Sequence, residues 1–158
     1  MPLHNDMALL DSRIRDRAIS CVNEMKKDSV IVSAGYTVVV LETLRELAVQ
    51  MAYAVKARIK ARPEDGKTDL EWVRTFFKKA GLSWAPSANE NMIPSTWTLD
   101  SRHIDGLAFD AAPSRDGKNP DWNAPDVIWD RMATIAEKHR FAAGRRWKNK
   151  DSPHFEEP

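Results

Sequence analysis

Two short segments near the C-terminal end constrain the fold of this chain more than any other feature. They are residues 101–110, SRHIDGLAFD, and residues 151–156, DSPHFE. Together they contain two imidazoles, a carboxylate suited to bind a metal and a second carboxylate. Such a set matches a catalytic zinc site that leaves one coordination position open for water. If the two segments form one site, the fold must bring them together across the intervening chain.

The spacing within the first segment predicts a change of backbone direction. His103 and Asp110 are seven residues apart, and side chains alternate along a strand, so one continuous strand would place them on opposite faces. Gly106 lies between them and can adopt a turn or bulge at little cost. Ala108 is small enough for another element to pack closely. The spacing therefore predicts two ligands presented from a strand, a turn and a second strand.

The second segment combines a rigid backbone with a carboxylate near an imidazole. Pro153 fixes its own φ and favours an extended predecessor, so His154 follows a stiff stretch. With His103, Asp110 and His154 as ligands, zinc would lower the pKa of a bound water to about 7, and Asp151 could accept its proton. Spacing alone leaves an alternative open, because a His near an Asp is more often a surface or capping pair.

Composition excludes several classes of protein. The 158 residues fit one domain, and 42% of them are hydrophobic and 30% charged, as is usual for globular proteins. A net charge of +1 gives no global field toward nucleic acid or an anionic membrane. The single Cys21 excludes an internal disulfide and a thiolate-rich zinc site. No leader pattern and no apolar run of about 20 residues is visible, which predicts cytoplasmic synthesis without a signal peptide and without membrane insertion.

Hydrophobic periodicity predicts an α+β order of elements. Helices are expected over Met7–Lys27, Thr43–Ile59, Asp69–Ala80 and Pro125–His139. Extended chain is expected over Ser29–Leu41 with a turn or bulge at Gly35, strands that meet at a turn over Trp97–Phe109, and a short strand over His154–Glu156. Residues 62–67 are expected to form a loop and residues 83–100 irregular chain. Of the tryptophans, Trp97, Trp122 and Trp129 are predicted to lie in the core, and Trp147 beside the site.

The complete pattern resembles a known family. S-x-H-x-x-G-x-A-x-D over residues 101–110, followed by D-x-x-H over 151–154, is similar to the zinc-dependent D-alanyl-D-alanine carboxypeptidase and L-alanyl-D-glutamate endopeptidase family. Its fold resembles that of hedgehog domains and vancomycin-resistance D,D-peptidases. Thr43-Leu44-Arg45, followed by Gln50 and Arg58, resembles the family's T-x-R turn and helix. Residues 144–156, GRRWKNKDSPHFE, are similar to the ending of the phage endolysin branch.

The resemblance implies a fold and a set of site residues. The fold would be α+β, with a small antiparallel sheet that carries the zinc site and is packed by helices. Residues 1–158 would form a single zinc peptidase domain, with an N-terminal helix over 1–28, a family-atypical insertion over 60–97 and no separate wall-binding module. One zinc ion would be held by His103, Asp110 and His154. Asp151 and Arg45 would be catalytic, and Arg45, Ser101, Gln50 and Trp147 would contact substrate; for Ser101 a turn role is an equal alternative.

The implied function is hydrolysis of the peptidoglycan stem peptide by a monomer with no nucleic-acid partner. Asp151 stands where the D,D-dipeptidases usually have Glu, which favours an L-alanyl-D-glutamate endopeptidase of the phage endolysin type. Such an enzyme would act on the cell wall or in the periplasm after holin-type release. One alternative is a D-Ala-D-Ala carboxypeptidase or dipeptidase with the same zinc chemistry. The other is a non-catalytic wall-binding domain of the same fold.

Overall fold

The computed structural model describes residues 4–51, 78–81 and 101–158. The predictions for Arg58, Trp97, the loop over 62–67 and the irregular chain over 83–100 lie outside these residues. So do most of the helix predicted over Asp69–Ala80 and of the 60–97 insertion. The chain divides into two compact units, one of Met1–Leu3 and Arg45–Ile104, the other of His4–Leu44 and Asp105–Pro158. The single-domain assignment and its internal boundaries remain predictions.

The second unit contains an antiparallel sheet with helices packed on it. Its strands are β1 (Thr37–Glu42), β2 (Ala108–Ser114), β3 (Ala142–Ala143) and β4 (His154–Glu156), in the spatial order β1-β2-β4-β3. Its helices are α1 (Arg15–Lys27), α2 (Ser29–Ser33) and α3 (Asp126–Lys138), with 3₁₀ turns at Met7–Leu9 and Gly144–Arg146. The predicted α+β class with a small antiparallel sheet is confirmed.

The single helix predicted over Met7–Lys27 is wrong in its first half. The 3₁₀ turn at Met7–Leu9 is separated from α1, which begins only at Arg15. Between them the Asp11 carboxylate accepts the N–H of Arg13 at 2.9 Å, and the Asp11 N–H donates to the Gly106 carbonyl at 3.0 Å. These bonds offer the backbone an alternative to helical pairing. Six apolar residues of the predicted helix are nevertheless buried, and Met7 is partly buried; the six are Leu10, Ile14, Ala18, Cys21, Val22 and Met25.

The extended chain predicted over Ser29–Leu41 is helical at its start. The Asp28 side chain accepts the N–H groups of Val30 and Ile31, and this cap begins α2. Gly35, with a φ of +81°, forms the predicted turn, and β1 follows. The pattern therefore predicted the turn and the strand, while the Asp28 cap decided the conformation before them.

Aromatic packing fixes the register of the central strands. Phe109 of β2 lies opposite Phe155 of β4, with ring centroids 5.3 Å apart, and Phe141 meets the Phe109 ring edge-on at 5.3 Å. Both strand phenylalanines are fully buried. Because side chains alternate along a strand, the neighbouring Asp110 and His154 must then share the other face of the sheet. The hydrophobic core thus determines which polar residues meet.

The C-terminal elements mostly agree with the sequence. Helix α3 matches the predicted Pro125–His139, and β4 has the predicted bounds. Trp129 is buried in the core, as expected, but Trp122 is 57% exposed, so its predicted core position is wrong. Its ring stacks on that of Trp129 with centroids 6.2 Å apart, so Trp122 covers its neighbour from outside.

The described part of the first unit is short. Residues 47–51 are helical, in agreement with that part of the helix predicted over Thr43–Ile59, and Val49 and Gln50 are buried. Gly81 has a φ of +73° and donates its N–H to the Lys78 carbonyl, as is common for a glycine at the end of a helix. Among the residues that the structure describes, no helix has the length and apolar character needed to cross a membrane.

Candidate metal centre

The centre is built on the pairing of β2 with β4. Asp110 and His154 lie directly opposite each other in the antiparallel register. The Asp110 Oδ1 atom is 3.1 Å from the Nδ1 atom of His154. At least eight-tenths of each side chain is removed from solvent, since Asp110 is 19% and His154 9% exposed. One carboxylate and one imidazole are thus presented side by side by two strands.

Glu156, to which the sequence assigned no role, lies at the second nitrogen of the His154 imidazole. The Glu156 Oε2 atom is 2.8 Å from the Nε2 atom of His154. Both residues are on β4 and two positions apart, so their side chains share a face, and this spacing was the signal in the sequence. A carboxylate on the second nitrogen of a metal-binding imidazole fixes its orientation and its tautomer.

Electrostatics around His154 reflect this double pairing. Burial lowers the pKa of the imidazole, but the hydrogen bonds to Asp110 and Glu156 outweigh it and raise the pKa from 6.5 to about 9. The charges of Asp110 and Asp151 add to the increase. The surroundings suit a bound cation, because they favour positive charge at this position.

Asp151 lies at the start of the turn that leads into β4. The His154 N–H donates to its carbonyl at 3.1 Å, and its own N–H donates to the Gly144 carbonyl at 3.0 Å. The Ala111 N–H donates to the Pro153 carbonyl at 2.9 Å, which joins the turn to β2. Asp151 itself is exposed. Its carboxylate thus belongs to a firmly bonded turn and remains accessible to water.

Gly144 and Trp147 pack on the same turn. A Cβ atom on Gly144 would lie 2.4 Å from the Asp151 carbonyl oxygen, so only glycine permits this approach. The Trp147 ring lies 5.3 Å from the His154 ring, between centroids, and is 40% exposed. The predicted position of Trp147 beside His154 is confirmed, while its contact with substrate stays a prediction.

His103 is held by a turn rather than by the predicted strand. The described part of Trp97–Phe109 forms turns over 102–106, and β2 begins only at Ala108. The Ile104 N–H donates to the Ser101 carbonyl at 2.9 Å, and the Ser101 hydroxyl accepts the His103 N–H at 3.4 Å. Ser101 therefore has the turn role that the sequence left as one alternative. Gly106, with a φ of +67°, makes the expected change of direction.

Arg45 and Gln50 form a bonded pair. The Arg45 N–H donates to the His103 carbonyl at 3.0 Å, so its backbone adjoins the histidine turn. One guanidinium nitrogen, Nη1, donates to the Gln50 Oε1 atom at 2.7 Å, and Gln50 is fully buried. Gln50 therefore orients the arginine, and a direct contact of either residue with substrate stays a prediction.

The three predicted ligands lie in two different units of the chain. Asp110 and His154 are paired within the second unit, whereas His103 belongs to the first. His103 is 1% exposed, Asp110 is half-buried and His154 is buried. Two imidazoles and one carboxylate suit zinc, which accepts nitrogen and oxygen donors and keeps a fourth position for water in catalytic sites. The donor chemistry of these residues thus fits the implied metal.

A donor set of two imidazoles and one carboxylate is of the kind found in catalytic zinc sites. Comparison with known families narrows the class. The family model described as D-alanyl-D-alanine carboxypeptidase matches residues 95–157, which is less than half of the chain. The matched segment contains all three candidate ligands and Asp151. The resemblance noted in the sequence is thereby confirmed at the level of the family, and the phage branch remains a prediction.

Two further comparisons give little more. The chain is similar to the crystal structure of the L-Ala D-Glu endopeptidase ChiX of Serratia marcescens, with 20% sequence identity and a TM-score of 0.45. The similarity covers 90% of this chain and 86% of that one. None of the curated proteins matches the chain.

Proposed function

We propose that this protein is a zinc-dependent peptidoglycan hydrolase that cleaves the stem peptide between L-alanine and D-glutamate. The observation that carries the proposal is the pairing of Asp110 with His154 across β2 and β4, with Oδ1 and Nδ1 3.1 Å apart. It is supported by Asp151, which is exposed and whose backbone carbonyl accepts the His154 N–H. A metal-ligand set beside an accessible carboxylate is what hydrolysis of a peptide by activated water requires.

Each residue has a distinct task in the proposed reaction. His103, Asp110 and His154 hold the zinc ion, and Glu156 orients the His154 ring through Nε2. When bound, zinc polarises a carbonyl group and makes a water molecule acidic. Asp151 accepts the proton from the attacking water and transfers it to the leaving amine. Loss of such a base lowers the rate by about 10²–10⁴-fold.

Substrate recognition is assigned to the Arg45 pair and to Trp147. Arg45 carries a fixed charge that suits a stem-peptide carboxylate or a developing oxyanion, and its bond to the buried Gln50 reduces the freedom of its side chain. The half-exposed Trp147 ring offers an apolar surface next to His154. Ser101 shapes the turn that carries His103, so its contribution to substrate binding is indirect.

The choice of bond and of biological role rests on the sequence. Asp151 within D-x-P-H, together with the G-x-x-W segment that begins at Gly144, resembles the endopeptidase and phage endolysin branch. We therefore propose that the protein acts as an endolysin on the cell wall or in the periplasm. A monomer suffices for this role, because the proposed ligands and base all belong to one chain.

A D-Ala-D-Ala carboxypeptidase is the second candidate. It is favoured by the description of the family model that matches residues 95–157. The same zinc chemistry would serve both reactions, but a carboxypeptidase must bind a terminal carboxylate. The two candidates therefore differ in the ends they create, namely free D-alanine or new L-Ala carboxyl and D-Glu amino ends.

The experiment is digestion of purified peptidoglycan, with mass spectrometry of the fragments. Wild-type protein is compared with Asp151→Asn, which keeps the shape of the side chain but removes its basicity. Asp105→Asn is the matched control, because Asp105 is an exposed carboxylate of the first motif and not a proposed ligand. Each protein is assayed as prepared, after chelation and after zinc is restored.

We expect new L-Ala and D-Glu ends from the wild type and from Asp105→Asn. Asp151→Asn should lose at least about 10²-fold in rate, and chelation should abolish cleavage until zinc returns. Release of D-alanine alone would move the assignment to the carboxypeptidase. Cleavage that survives both chelation and Asp151→Asn would contradict the proposed chemistry.

A further inference from the structure

The guanidinium of Arg145 lies behind the turn that carries Asp151. Arg145 is in the 3₁₀ turn Gly144–Arg146, and its side chain is only 9% exposed. Its Nε atom donates to Asp130 Oδ1 at 2.8 Å, and one Nη2 hydrogen is donated to Asp126 Oδ1 at 2.7 Å. Nη1 donates to the Ser152 hydroxyl at 3.3 Å. One side chain thus joins helix α3 to the residue next to Asp151.

The two carboxylates define the orientation of this arginine. Asp126 and Asp130 are four residues apart in the first turns of α3, so they lie on one face of the helix. The guanidinium is planar, and two of its nitrogens bonded to a rigid helix fix the direction of the third. That third nitrogen reaches Ser152. Helix α3 therefore acts as the fixed support of the arrangement.

The backbone provides a second tie at the same place. The Gly144 carbonyl accepts both the Trp147 N–H at 3.1 Å and the Asp151 N–H at 3.0 Å. These bonds close the loop over residues 147–150, and the Arg145 side chain holds the residue that follows Asp151. The position of Asp151 is thus restricted by the hydrogen bond of its own amide and by that of the neighbouring Ser152.

We expect the loss of Arg145 to change the geometry of the turn more than the free energy of unfolding. Asp126 is 86% and Asp130 49% exposed, so water can solvate both carboxylates if the arginine is removed. Ion pairs with partners so exposed add little to folding free energy. The hydrogen bond to Ser152 involves no second charge, and it restricts the position of the turn.

We propose that Arg145 is a positioning residue that holds Asp151 in place for proton transfer, acting through Ser152. The proposal rests on the proposed function, in which Asp151 is the base. Arg145 touches neither substrate nor metal in this role. Its effect is to reduce the displacement of the Asp151 carboxylate, because an error of 1 Å in the position of a catalytic group can cost about 10²-fold in rate.

The test compares three single variants of the full chain. Arg145→Ala removes the guanidinium that joins α3 to Ser152, and Ser152→Ala removes only the hydroxyl that accepts its hydrogen bond. Arg146→Ala is the matched control, since Arg146 is the adjacent arginine but donates its hydrogen bonds to Glu137 and Thr134 and lies only 3.9 Å from Asp130. For each protein, amide exchange of Asp151 is measured by nuclear magnetic resonance, and kcat and KM are measured on a stem-peptide substrate.

We expect Arg145→Ala to exchange the Asp151 amide at least about tenfold faster and to lose about tenfold in kcat with less than about twofold change in KM. Ser152→Ala should shift both in the same direction, and the double variant should lose little more than Arg145→Ala, because the two residues share one interaction. Arg145→Lys should recover part of kcat. Arg146→Ala should behave as wild type.

Unchanged Asp151 exchange in both Arg145→Ala and Ser152→Ala would overturn the proposal, as would equal effects from Arg146→Ala. Should Arg145→Ala fail to fold, Ser152→Ala decides alone. If the wild type cleaves no stem peptide, the proposed function fails, whereas the exchange rates still show whether Arg145 holds the turn.

Discussion

Replacement of Gly144 by alanine tests the placement of Asp151 most directly. An added Cβ would lie 2.4 Å from the Asp151 carbonyl oxygen and 3.1 Å from the Asp151 Cβ. The first contact involves backbone on both sides, so no flexible side chain can yield. Gly144 is not among the glycines with positive φ, so the cost arises from this contact rather than from backbone strain.

The displacement sets the expected size of the effect. Ordinary contact begins near 3.4 Å, and a separation of 2.4 Å must therefore open by about 1 Å. The Asp151 N–H bond to the Gly144 carbonyl, 3.0 Å long, lies at the same point and would be distorted too. We expect kcat to fall by about 10²-fold and the free energy of unfolding by about 1–3 kcal/mol.

The assay measures kcat on a defined muropeptide and the free energy of unfolding in urea. Gly35→Ala is the control, because its added Cβ meets nothing closer than 3.8 Å while its φ of +81° strains an alanine. That strain should cost about 1–2 kcal/mol, a stability loss similar to that of Gly144→Ala. Gly35 lies in the turn between α2 and β1, so kcat should remain at the wild-type value.

A Gly144→Ala protein with wild-type kcat would refute the argument, since the turn would then accommodate a methyl group without moving the base. Equal losses of kcat in both glycine variants would show that general destabilisation, rather than displacement of Asp151, lowers the activity.

Three further predictions concern the second unit alone. Asp28→Asn keeps the cap acceptor of α2 but weakens the hydrogen bonds from Arg131. These bonds hold the pKa of Asp28 below its usual range. The stabilisation that the Asp28 carboxylate provides is therefore present at neutral pH and is lost as the pH falls through that lowered pKa. Urea titrations should show a loss of about 1 kcal/mol at pH 7 that disappears in acid, and a loss that grows in acid would contradict this. Burial raises the pKa of the Cys21 thiol to about 12, so iodoacetamide should modify it only in unfolded protein, as mass spectrometry can check. Phe155→Ala should cost about 3–5 kcal/mol and Phe155→Leu much less, and equal losses by urea denaturation would argue against its packing on Phe109.

The sequence was most informative where chemistry and local geometry coincide. Residue type and spacing predicted His103, Asp110, Asp151 and His154 as site residues, and the structure places Asp110 directly opposite His154. The strand at His154–Glu156 was predicted with its bounds. Glycine and proline explain this success, because Gly106 makes the expected turn and Pro153 restricts the segment before β4. Such effects act over a few residues and can be read without knowledge of the fold.

Other features depended on distant contacts. The break between Met7–Leu9 and α1 involves the bond from Asp11 to Gly106, and His103 lies in a turn whose residues read as a strand. Trp122 is exposed because it covers Trp129 from outside, which no periodicity reveals. In each case the partner is remote in sequence or outside the repeating pattern.

By itself, the sequence determined which groups can bind a metal and which can move a proton, since these are properties of the side chains. Only the tertiary structure decided how they are held. The stacking of Phe109 on Phe155 fixes the register that places Asp110 beside His154, and Glu156 on the same face completes the pairing of the imidazole. The hydrogen bond from Arg145 to Ser152 likewise exists only after helix α3 has packed, because Asp126 and Asp130 must be in place to orient the guanidinium.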